Sequence, residues 1–90
     1  LDAAARLKRS DNTTFQTVAE EAILIRLDTG TYFSLNKIGT EFWEMLDGQH
    51  TIAQQAAAIA GKYNVDAPIV VSDLLELAEK MAADKLVDVV

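Results

Sequence analysis

Apolar positions in the first third of the chain recur at every second residue. Ile23 to Asp28 (ILIRLD) sets Ile23, Ile25 and Leu27 on one side and Leu24, Arg26 and Asp28 on the other. Thr31 to Leu35 (TYFSL) sets Phe33 and Leu35 against Tyr32 and Ser34. Thr13 to Val18 (TTFQTV) is rich in β-branched residues and reads as a strand before these two. Between the last two runs stands Asp28-Thr29-Gly30. Asp starts a turn by bonding its own backbone, and Gly accepts positive φ at no steric cost, so the spacing predicts a tight hairpin.

After Asn36 the period changes to about 3.6. Ile38, Phe42, Met45 and Leu46 form a helical stripe with Trp43 beside it; Asn36 is placed to cap that helix and Gly48 to stop it. Thr51 and Gln54 make a capping box for a second helix, whose buried face is Ile52, Ala56, Ile59, Ala60 and Tyr63, with Gly61 and Asn64 as exits. A third helix opens near Asp66, tolerates Pro68 in its first turn, buries Val70, Leu74, Leu77, Ala78 and Met81, and ends near Asp84. Leu86 to Val90 follows as an extended apolar end. Strands followed by helices make an α+β domain of winged helix-turn-helix-like content, a three-stranded antiparallel sheet followed by three helices. Residues 1–12 (LDAAARLKRSDN) do not alternate and carry Arg6, Lys8 and Arg9, so they read as a flexible arm or partly helical tail before a folded domain over 13–90.

Composition narrows the function. The chain has 90 residues, half of them apolar, which suits one small domain. Acids outnumber bases 14 to 8 for a net charge of −6, the wrong sign for condensing on phosphates. The third helix bears Asp73, Glu76, Glu79 and Asp84 against Lys80 alone, so as a recognition helix it would repel DNA. No cysteine is present, which fits a cytoplasmic setting, and no apolar run approaches a membrane span or a signal peptide.

Catalysis finds little support. The single His50 lies in the stretch Asp47-Gly48-Gln49-His50, read as a solvated turn, with Asp47 near but no nucleophile marked. Asp73, Glu76 and Glu79 are spaced by three, yet Glu76 and Lys80 at i,i+4 read as an ordinary surface ion pair rather than a metal site. The four glycines are scattered and make no phosphate loop. The sequence therefore predicts no enzyme, no metal and no cofactor. What it does offer is an edge. TYFSL is the outer strand of the meander and has neither charge nor proline to blunt it, so an extended peptide could pair with it in a groove against the third helix. Spacing alone does not choose between an open edge and one covered by that helix or by Leu86–Val90.

The stretch ILIRLDTGTYFSLNKIGTEFWEMLDG resembles the PqqD-like family, also called RiPP recognition elements. The resemblance rests on Asp28, Gly30, Tyr32, Leu35-Asn36, Gly39, Trp43 and Leu46-Asp47-Gly48. It continues through Thr51-Ile52, Asn64-Val65-Asp66 and Asp73-Leu74-Leu75 to Leu86, covering about residues 13 to 88. One departure is Lys85, where the family has Gly before the closing Leu-Val. The resemblance implies a non-catalytic domain that holds the leader segment of a ribosomally made precursor peptide by strand addition. The precursor's core is thereby presented to a modifying enzyme such as a leader peptidase, a cyclase or a radical-SAM protein. It implies a backbone strip of Thr31, Tyr32, Phe33, Ser34 and Leu35, and a helix wall of Asp73, Leu74, Leu77, Lys80 and Met81. Tyr32 and Trp43 make the pattern look like the stand-alone partners of lasso-peptide biosynthesis. The partners so implied are a precursor leader and its enzyme, with no nucleic acid and no membrane; a homodimer through the same edge is a further possibility. The alternative is a winged-helix DNA-binding or protein-interaction module.

Overall fold

Nine elements follow one another in the computed structural model, which describes all 90 residues. They are β1 (Arg6–Arg9), β2 (Thr13–Val18), β3 (Glu21–Arg26), β4 (Tyr32–Ser34), α1 (Lys37–Glu44), β5 (Asp47–Thr51), α2 (Ile52–Tyr63), α3 (Ala67–Ala83) and β6 (Val87–Val89). The α+β class and the antiparallel meander β2-β3-β4 are as the periodicity predicts, with β4 on the outside. The hairpin closes at Gly30 (φ +72°), whose N–H donates to Arg26 C=O.

The strand count differs from expectation. A second antiparallel sheet, ordered β5-β1-β6, uses two segments read as non-strand. Residues 6–9, expected in a flexible arm, form its central strand, and Leu7 is fully buried. The expected turn around His50 is β5. The C-terminal Leu86–Val90 stretch is extended as predicted, but it pairs with β1, Leu7 opposite Val89 and Arg9 opposite Val87, and so leaves β4 uncovered. Local pattern could not reveal β1 and β5, because RLKR and DGQHT have one apolar residue between them; they are strands through long-range pairing.

The helices follow their caps. Asn36 Oδ1 accepts from Gly39 N–H at 2.8 Å, and Thr51 and Gln54 exchange both bonds of the capping box. Helix α1 ends at Glu44, before the Gly48 expected to stop it. Asn64 caps α2 in the left-handed conformation. Phe42, Trp43, Leu7, Leu24, Ile52, Ile59, Leu74, Met81 and Leu86 fill the core between the sheets and helices.

Candidate functional site

The site is built on the register of β4. Arg26 N–H donates to Thr31 C=O at 2.8 Å and Leu35 N–H to Ala22 C=O at 2.8 Å. In an antiparallel ladder the bonded pairs alternate, so residues 31, 33 and 35 direct their N–H and C=O toward β3. The N–H and C=O of Tyr32 and Ser34 point the other way, where no strand lies. The expected strip of Thr31, Tyr32, Phe33, Ser34 and Leu35 thus divides in two: Tyr32 and Ser34 offer backbone groups to a guest, while Thr31, Phe33 and Leu35 hold the strip to the sheet.

Beside this edge lies a groove of about 360 Å³ lined by Ser34, Leu35, Asn36, Ile38, Gly39, Asp73, Leu74 and Leu77. Its far wall is α3. Five expected site residues meet there: Ser34, Leu35, Asp73, Leu74 and Leu77. Ile38, Asn36 and Gly39 were not anticipated as lining; Ile38 was assigned to the core stripe, and it packs half-buried at the groove floor. Met81 does not take part. It is 2% exposed and belongs to the core, on the buried stripe of Leu74 and Ala78 and two turns beyond Leu74, past the end of the groove. Lys80 is exposed outside the groove lining, and the expected Glu76–Lys80 ion pair is not formed.

Two polar ties hold β3 to the helices around the groove. Thr40, buried in α1, accepts from Ala22 N–H at 2.8 Å and so locks α1 to β3. Arg26 donates through Nη1 to the C=O of Asp84 at the end of α3 (3.2 Å) and through Nη2 to Asp28 at the hairpin tip. A guanidinium at a helix C-terminus also meets the negative end of the helix dipole. The Arg26 bond holds the Asp28 carboxyl below its ordinary pKa.

The outer strand β2 bounds the same sheet on its other side, and it too is uncharged. The hollow near its end is lined by Thr17, Glu20, Lys37, Thr40, Glu41 and Glu44, with no apolar side chain. Of the two edges of this sheet, β4 is the one beside the groove against α3.

His50 Nδ1 lies 2.7 Å from Asp47 Oδ2. Backbone donation from Gln49, and then from His50 and its ring, pulls the Asp47 pKa down to about 2. The adjoining cleft is lined by Met45, Gln54, Gln55 and Ala58, which supply no nucleophile for such a pair.

A small α+β domain with an open strand edge against a helix is thus the class the geometry defines. The family model described as coenzyme PQQ synthesis protein D (PqqD) matches residues 21–87. This chain belongs to the PqqD family. Among solved structures it is similar to TbiB1 in complex with the TbiA(beta) leader peptide, with 32% identity and a TM-score of 0.81 over 90% of this chain and 94% of that one. No curated protein matches the chain.

Proposed function

We propose that this chain is a non-catalytic recognition domain that binds the leader segment of a ribosomally synthesised precursor peptide by adding it as a strand to β4. The observation that carries the reading is the outward N–H and C=O of Tyr32 and Ser34 beside the groove against α3. Main-chain bonds at those two residues supply affinity, and Ile38, Leu74 and Leu77 supply an apolar wall for the guest's side chains. Asp73 stands at the rim, and Lys80 lies one helical turn beyond Leu77. Family membership and the likeness to TbiB1, a structure with a leader peptide, support the same reading.

The domain presents the precursor to a separate modifying enzyme, a leader peptidase, cyclase or radical-SAM protein. Tyr32 after the hairpin and Trp43 in α1 resemble the pattern of the stand-alone partners of lasso-peptide pathways, and the reading extends to that class. It works without cofactor or nucleic acid, in the cytoplasm. No helix is long and apolar enough to cross a membrane. A second copy pairing through β4 would compete with the peptide for the same backbone groups.

The test is Ser34→Pro. Its N–H takes no part in the fold's own ladder, and edge strands tolerate proline. The variant should melt close to the parent temperature and lose leader binding by isothermal titration. Phe33→Pro should instead destabilise the domain, since its N–H faces β3. Full leader affinity in folded Ser34→Pro would rule out strand addition at this edge.

A further inference from the structure

Of the residues that line the groove between β4 and α3, Asp73 alone can carry charge. The fold itself gives this carboxylate nothing to do. It is exposed, and it takes no ion pair and no hydrogen bond from the chain. It lies beyond the first turn of α3, where a carboxylate no longer caps the helix or meets its dipole. Lys80, on the same line of the helix, stands about 10 Å further along the axis, too far to neutralise it.

The placement of α3 says where a guest would meet this charge. The end of β4, at Ser34 and Leu35, shares the groove with Asp73, Leu74 and Leu77. The other end is level with Arg26, which bonds Thr31 through the backbone and Asp84 through its guanidinium. Helix α3 therefore lies alongside β4 and runs opposite to it. Asp73 and Leu77 are one turn apart, about 6 Å along the axis. Two residues of an extended chain cover about the same length, and residues two apart point to the same face. A guest strand between β4 and α3 can thus set one side chain at Asp73 and the next side chain of that face on Leu77.

Building on the strand-addition reading, we infer that Asp73 selects a basic residue in the guest. The ligand class is an extended peptide with Lys or Arg two places before an apolar residue. The apolar side chain rests on Leu77, Leu74 and Ile38, and the cation meets the Asp73 carboxylate. The base comes first because a guest antiparallel to β4, like the other pairs of this sheet, runs in the direction of α3. An acidic residue at the same place is repelled.

The experiment selects a phage-displayed library of random linear peptides on the full chain and measures the retained peptides by fluorescence anisotropy. Peptides that bind the parent and fail on Ser34→Pro should share the basic residue two places before the apolar one. Glu in place of that base should weaken binding about fivefold, the order expected for exchanging an exposed attraction for a repulsion. On Asp73→Lys the preference should invert, with the Glu peptide the tighter of the two. Glu44→Lys makes the same change in net charge at an exposed position outside the groove and should keep the parent's preference. Asp73 ties nothing in the fold, so Asp73→Lys should melt with the parent; if it melts early, Asp73→Asn replaces it and should abolish the preference. A preference that survives the change at Asp73, or that Glu44→Lys removes equally, would overturn the inference. Peptides that fail on Ser34→Pro but lack the basic residue at that spacing would overturn it while leaving strand addition intact. A library from which no peptide is retained, or whose peptides all bind folded Ser34→Pro as well as the parent, would overturn the underlying reading itself.

Discussion

Lys85 occupies a position built for glycine. Helix α3 closes with Leu86 N–H donating to Met81 C=O at 2.9 Å and Lys85 N–H to Ala82 C=O at 3.1 Å, the paired bonds of a Schellman motif. That motif needs a left-handed residue after the cap, and Lys85 has φ 58°. A side chain there is strained against the following carbonyl by about 1–2 kcal/mol, partly offset by the greater unfolded-state freedom of glycine. Lys85→Gly should therefore stabilise the domain by roughly 0.5–1 kcal/mol, read as a higher urea midpoint at unchanged slope. A lower midpoint would mean that the lysine side chain holds something the backbone geometry does not disclose. The same residue is where the sequence departs from the family pattern, so the departure leaves the helix end in place and changes only its strain. Other single residues are equally legible in both sequence and structure. Asn36 and Thr51 cap as expected, because capping is decided within four residues of chain. Met81 was misplaced because a stripe at helical spacing does not say which of its members turn toward a groove and which toward the core.

At the scale of elements, legibility follows the range of the interaction that makes each one. The hairpin, the three helices and the outer position of β4 come from local periodicity and turn chemistry, and they stand as read. β1 and β5 come from pairing between residues far apart, Arg6 with Thr51 and Lys8 with Asp47, and nothing in RLKR or DGQHT marks them. One side chain anchors the arrangement. Leu7 is 1% exposed at the centre of the β5-β1-β6 sheet. Leu7→Ala should cost about 2–4 kcal/mol, the usual penalty for emptying a well-packed leucine site. A mobile arm would predict no change in the melting temperature, so calorimetry on this one variant separates the two accounts. The free edge itself was visible as an uncharged strand, but the identity of its exposed amides was not. That required the register, which the Arg26–Thr31 and Leu35–Ala22 bonds fix.

For the whole molecule, the two sheets divide the work. The β5-β1-β6 sheet takes up the N-terminal and C-terminal segments, and so keeps the chain's own tail away from β4. The β2-β3-β4 sheet presents an edge beside α3, with β3 tied to α1 through Thr40 and to the end of α3 through Arg26. The net charge of −6 belongs to the solvated faces and removes the generic attraction to nucleic acid. The full lining of the groove was beyond the reach of sequence reasoning, because it is formed by residues from three elements whose spacing depends on the packing.

Amide hydrogen exchange, resolved by residue with NMR, tests strand addition at β4 most directly. In the free chain the Tyr32 and Ser34 amides should exchange fast while the intervening Phe33 amide, bonded to β3, is protected. Saturating leader peptide should slow Tyr32 and Ser34 strongly and leave Phe33 little changed. If both amides keep their free-chain rates in the complex while protection appears elsewhere, the peptide binds by another route and the account of β4 is wrong.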